Sequence, residues 1–152
     1  MNLPYAGRCA CGDIRYRGTA NPVFSWICHC RDCQRASGSA YCSIAYVPRE
    51  SLVVEGDAVY YTVLAESGNK VSRGFCGRCG SPMFIQADLV PDLQGVWAAS
   101  LDDPAQFDPV VQVWCGSAQA WGTLHAALPR IAKAPNEQEF ERILALAARS
   151  GR

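Results

Sequence analysis

The chain has 152 residues, nearly half of them apolar and 18% charged, which is ordinary for one globular domain with a modest core. Lys plus Arg and Asp plus Glu balance at 14 each, which argues against nucleic acid and anionic membrane surfaces as partners, since both select a basic excess. No apolar run approaches the ~18 residues of a membrane span, and the opening MNLPYAGRCACG has no apolar signal-peptide core, so a cytoplasmic, soluble protein is expected.

In chain order, short strands are predicted at 13–18, 22–28, 42–48, 51–56, 58–64, 70–75, 82–86, 95–100 and 110–115. Each is rich in Val, Ile, Tyr, Phe or Trp and is bounded by Gly, Pro, Asp or Ser. Their close spacing predicts antiparallel sheets rather than alternating βαβ units. A short helix, CQRAS, is predicted after Asp32 as N-cap and stops at Gly38. An amphipathic helix is predicted over 136–149. There Asn136 and Glu139 form a capping-box pair, and Phe140, Ile143, Leu144 and Ala147 share one apolar face. Residues 1–152 read as a single, mainly β domain.

Nine cysteines are many for a chain expected in a reducing compartment, where clustered thiols read first as metal ligands. Seven fall in three motifs: Cys9-x-Cys11, Cys28-x-Cys30-x-x-Cys33 and Cys76-x-x-Cys79. Alternate residues of a strand point the same way, so both sulfurs of C-x-C can reach one ion. A C-x-x-C followed by glycine does the same through a tight turn, here with Gly77 and Gly80. Two pairs make four, so Cys9, Cys11, Cys76 and Cys79 form a closed, structural zinc site. The triplet then has three thiolates and an open position, the arrangement of a catalytic zinc. Other readings of the triplet stay open: a second structural zinc completed by Cys42 or His29, a redox cluster, or no metal. Another pairing would join Cys28 and Cys30 to Cys76 and Cys79 and leave Cys9, Cys11 and Cys33 open. Cys42 and Cys115 lie in strand patterns and read as small core residues. The tryptophans read as core, with Trp121 as a candidate for a pocket wall.

Assembled, GRCACGDIRYRG, ICHCRDCQRASGSAY, FCGRCGSPMF and SLDDPAQFDPVVQVWCGSAQAW resemble the glutathione-dependent formaldehyde-activating enzyme family, which includes proteins like S-hydroxymethylglutathione synthase and centromere protein V. The resemblance covers roughly residues 5–130. It implies a β-tent, short twisted antiparallel sheets pinned by zinc. It also implies a structural zinc on Cys9, Cys11, Cys76 and Cys79 and a second, catalytic zinc on Cys28, Cys30 and Cys33. The implied reaction joins or splits a carbon–sulfur bond between a thiol such as glutathione and a small aldehyde, formaldehyde. His29 and Arg35 are candidates for the general acid or for holding a substrate carboxylate. One departure from the family pattern is Gln112, which stands where the pattern carries histidine. The alternative function is a non-catalytic zinc-binding or chaperone-like module on the same scaffold, since a fold does not fix an activity.

Overall fold

A computed structural model describes residues 1 and 3–150. Ten strands and two α-helices follow one another as β1 (Tyr5–Arg8), β2 (Arg15–Gly18), β3 (Phe24–Cys28), α1 (Arg31–Ser37), β4 (Cys42–Pro48), β5 (Leu52–Glu55), β6 (Ala58–Leu64), β7 (Lys70–Cys76), β8 (Pro82–Ala87), β9 (Leu93–Trp97), β10 (Val111–Val113) and α2 (Glu137–Ser150). They build a three-stranded sheet, β1-β2-β5, and a seven-stranded sheet, β10-β3-β4-β9-β8-β7-β6. The mainly β expectation holds, with one short helix and one C-terminal helix. None of the described helices is long and apolar enough to cross a membrane.

Most pairings are antiparallel, but β10 runs parallel to β3, against the purely antiparallel expectation, with Val111 opposite Trp26 and Val113 opposite Cys28. The chain leaves β9 through two short 3₁₀ turns before β10, a crossover that delivers it in the parallel sense. The strand predicted over 95–100 stops at Trp97 because Leu101 N–H bonds back to Ala98 O and closes a 3₁₀ turn. Sequence alone missed β1. Its YAGR carries a glycine, and β2 imposes the strand. A side chain at Gly7 would strike the Tyr16 hydroxyl, which itself bonds Ser100 Oγ at 2.8 Å.

Two cores result. One gathers Tyr5, Tyr16, Met83, Phe84 and Val96 between the sheets. The other holds Phe24, Trp26, Tyr46 and Ile143, with Phe24 stacked on Tyr46 at 4.7 Å and edge-on to Phe140 of α2 at 5.4 Å. Burying such side chains contributes about 1.5–3 kcal/mol each. The N-terminus of α2 is the predicted capping box: Glu139 N–H donates to Asn136 Oδ1 and Asn136 N–H to Glu139 Oε2, both at 2.9 Å. The buried stripe is centred on Ile143 and takes in Phe140, Leu146 and Ala147. Leu144, assigned to it from sequence, is exposed. The phase of the helix around Ile143 decides this, since each residue turns about 100°.

Candidate metal centres

The first cluster joins the two sheets. Cys9 and Cys11 lie in the turn between β1 and β2, not in a strand as the alternation argument assumed. Cys76 ends β7, and Cys79 lies in the turn to β8. All four sulfurs lie within 4.8 Å of one another, with Cys9–Cys11 at 3.5 Å and Cys11–Cys76 at 3.7 Å. Four thiolates around a tetrahedral ion with Zn–S of ~2.3 Å would sit roughly 3.8 Å apart, so the donor set fits such an ion. The alternative pairing of Cys28 and Cys30 with Cys76 and Cys79 is ruled out by this geometry. Left-handed glycines make both turns possible: Gly12 at φ +81° and Gly80 at φ +74°. Gly77, also expected to ease the turn, has no such conformation.

Polar backbone groups converge on the same sulfurs. Ile14 N–H points at Cys9 Sγ, 3.2 Å away. Ser81 Oγ accepts from Ala10 N–H at 3.1 Å and sits 3.2 Å from Cys79 Sγ, tying one turn to the other. The Ser81 hydroxyl, then its backbone N–H, pulls the Cys79 thiol down to about 5. Cys79 is therefore a thiolate at neutral pH, the form that ligates metal.

The second cluster lies within the large sheet. Cys28 ends β3. Cys30 caps α1 in place of the expected Asp32, its sulfur accepting Cys33 N–H at 3.3 Å. Cys33 sits in the first turn, and Gly38, left-handed as expected, ends the helix. The sulfurs of Cys28, Cys33 and Cys42 lie within 4.8 Å of one another. Of the three predicted cysteines, Cys28 and Cys33 are brought together with Cys42, and Cys30 stands beside them as the cap of α1. The strand reading of Cys42 was right, but its neighbours are thiols and not only core.

The neighbouring thiols of Cys28, Cys30 and Cys42 hold the Cys33 thiol well below the ordinary range despite burial, and the Arg73 guanidinium adds to this. Arg73 Nη2 lies 3.6 Å from Cys33 Sγ. The neighbouring thiols of Cys30, Cys33 and Cys42, with burial, push the Cys28 thiol well up.

A cavity of ≈ 490 Å³ opens in front of this cluster, walled by Cys28, Cys30 and Cys33, by Arg31 and Arg35 of α1, and by Arg73 and Val71 of β7. Its size lies within the roughly 300–1,000 Å³ of small-molecule sites. Two buried donors on residues of this wall, Trp26 Nε1 and Arg73 Nε, have no partner among the described residues. An unmet buried donor costs about 1–3 kcal/mol, which an acceptor on a ligand would recover. Trp114 also lines the cavity and has a left-handed backbone, φ 60° and ψ 33°, alone among the described non-glycine residues. Bulky residues held there mark sites whose geometry the surroundings over-determine.

Of the other candidates, Arg35 is on the wall and His29 is not. The His29 ring is buried and packs instead on Tyr41 and Gln112, with Nε2 3.4 Å from Gln112 Oε1. Burial pulls its imidazole below the ordinary range, so it is neutral at neutral pH. Gln112 clamps the backbone of residue 125: its Nε2 donates to His125 O and its Oε1 accepts from His125 N–H, each at 2.8 Å. Trp121 is 72% exposed and absent from the cavity wall.

Residues 4–117, well over half of the chain, match the family model of the glutathione-dependent formaldehyde-activating enzyme. The chain belongs to this family. All cysteines of both clusters fall inside the matched stretch, whereas α2 lies beyond it. A Halomonas elongata protein, named provisionally as a glutathione-dependent formaldehyde-activating enzyme, is 27% identical over 101 residues, covering 63% of this chain and 64% of that one. The chain thus spans less than two thirds of that relative's length. The crystal structure of a Rhodobacter sphaeroides protein shares the fold, with a TM-score of 0.56 at 23% identity, over 71% of this chain and 99% of that one.

Sequence reasoning missed Arg73 and Trp114 and carried Cys42 only as one of the alternatives for completing the triplet. Arg73 carries a signal in hindsight: in KVSRGF it alternates in phase with Val71 and Phe75, so a cation stands on an otherwise apolar strand face. Cys42 carries one too, since β3 and β4 form a hairpin-like pair around α1. Trp114 has no sequence signal; it follows β10 where the main chain bonds to a distant segment, Trp114 N–H to Lys133 O and Cys115 N–H to Ile131 O.

Proposed function

We propose that the second cluster is a zinc centre, held by Cys28, Cys30 and Cys33, at which a carbon–sulfur bond is made or broken between a thiol such as glutathione and a small aldehyde such as formaldehyde. The observation that carries this is the cavity onto which those three cysteines open beside Arg73. On the same reading the first cluster is a structural zinc site closed by Cys9, Cys11, Cys76 and Cys79.

Zinc bound at the second cluster would keep a substrate sulfur as thiolate near neutral pH and act as a Lewis acid. The chain's own residues do the rest. The apolar part of the wall, Trp26, Ile44 and Ile85, keeps water from the reacting atoms. As sulfur adds to the aldehyde carbon, the carbon–sulfur bond forms and the carbonyl π pair moves onto oxygen. Arg73 offers N–H donors to that oxygen, and the proton lost by the thiol ends there. The product is the hydroxymethyl thioether, and the reverse step splits it. Arg31 and Arg35 suit the two carboxylates of glutathione, and Glu66, also on the wall, suits its ammonium group.

The test is exchange NMR with ¹³C-formaldehyde and glutathione. Zinc-loaded protein is expected to speed formation of the adduct above the uncatalysed rate, and Cys33→Ser to abolish the gain while keeping its fold. No acceleration by the zinc-loaded parent would discard the reaction. A second reading, a partner-binding module, is favoured by β6. This edge strand exposes Val59, Tyr60, Tyr61 and Leu64, and an unpaired apolar edge offers a template for another chain.

A further inference from the structure

Two sulfurs flank the Cys28–Cys33 pair. Cys30 caps α1, is partly exposed and stands in the cavity wall. Cys42 is 3% exposed and does not line the cavity, and its sulfur lies within 4.8 Å of those of Cys28 and Cys33. The β3–β4 register places Cys42 directly opposite Cys28, and in an antiparallel pair such residues project from the same face, with Cβ atoms about 4.5–5.5 Å apart. The placement of Cys42 is therefore fixed by main-chain pairing, independently of how the cluster side chains settle. Cys28, Cys33 and Cys42 are also the three sulfurs that all lie within 4.8 Å of one another.

We infer that Cys42 is the fourth protein ligand of the second metal centre. Cys28, Cys33 and Cys42, all buried, would hold the metal, and Cys30, the most exposed of the cysteines that line the cavity, would be the exchangeable arm. The centre is then a four-thiolate site with one exchangeable ligand, not a three-thiolate site with a standing vacancy. The assignment of Cys42 stands on the geometry alone. The exchange of Cys30 rests on the thiol chemistry proposed above. In that exchange an incoming thiol takes the place of the Cys30 sulfur and gives up its proton to it, so charge and protons balance. Arg73 beside Cys33 offsets part of the charge of four thiolates.

The test uses the full chain loaded with cadmium in thiol-free buffer, read by ¹¹³Cd NMR, which separates four-sulfur from three-sulfur-plus-oxygen coordination. The parent is expected to give two resonances, both in the four-sulfur region. Cys42→Ala is expected to move one of them to the three-sulfur region or to lose it, while the other, from the Cys9 cluster, stays and reports a folded protein. Cys30→Ser is expected to move the same resonance, and added glutathione to return it to the four-sulfur region. A parent whose second resonance already lies in the three-sulfur region would overturn the assignment, as would a Cys42→Ala spectrum identical to the parent's. The parent spectrum decides even where the variant does not fold. Failure of the formaldehyde reaction with a four-sulfur parent spectrum would sink the proposed function and leave Cys42 a ligand. A three-sulfur spectrum with an active enzyme would do the opposite.

Discussion

The first cluster takes its sulfurs from two turns about 65 residues apart in sequence, one in each sheet, whereas the second takes all of its sulfurs from the stretch 28–42 within one sheet. A metal at the first site would close a long loop and hold the sheets together. At the second, β3, α1 and β4 already hold the thiols through main-chain pairing, so a metal there would add little to the fold and would be free to serve chemistry. The surroundings follow the same division. Around Cys9, Cys11, Cys76 and Cys79 stand backbone N–H groups and the Ser81 hydroxyl. Around Cys28, Cys30 and Cys33 stand a cavity, a guanidinium and two donors without partners among the described residues. Metal ligation alone therefore does not mark a reactive centre. What a sulfur cluster faces does.

The comparison breaks most sharply at Cys76. Structural zinc contributes about 10–16 kcal/mol in zinc-finger peptides. Cys76→Ser is therefore expected to unfold the chain or to lower its melting temperature by more than about 10 °C in a circular-dichroism melt. A melt within a degree or two of the parent would remove the staple from the account. Next comes Cys33→Ser, expected to keep the sheets and the first metal but to lose the aldehyde–thiol reaction entirely, read by the NMR exchange rate. Arg73→Gln is expected to slow that reaction by about 10²-fold, the scale of losing one oxyanion donor, with partial recovery in Arg73→Lys. Equal rates in parent and Arg73→Gln would place the guanidinium in a charge-balancing role only. Smallest is Asn136→Ala. It opens the capping box of α2 at a cost of about 1 kcal/mol and is expected to lower the melting temperature by roughly 2–4 °C, with metal content and turnover unchanged.

Much of this division is readable from sequence, because metal chelation is a local matter. C-x-C and C-x-x-C announce their partners through spacing, and the capping box of α2 is spelled out by Asn136 and Glu139. Strands β4 and β6 carry enough β-branched and aromatic residues to match their predicted limits, 42–48 and 58–64. What sequence hides is set by tertiary pairing. YAGR becomes β1 only against β2. Trp114 turns left-handed where the main chain after β10 bonds to Ile131 and Lys133. Cys42 looks like any small strand residue until the register puts it opposite Cys28.

Zinc per chain, measured by elemental analysis on chelator-free protein for the parent and the double variant Cys28→Ser/Cys33→Ser together, tests the two-centre account most directly. The account predicts about two zinc ions in the parent and about one in a mutant that still melts cooperatively. One zinc in both proteins would show the second cluster to be metal-free as isolated and would contradict a separate zinc centre facing the cavity.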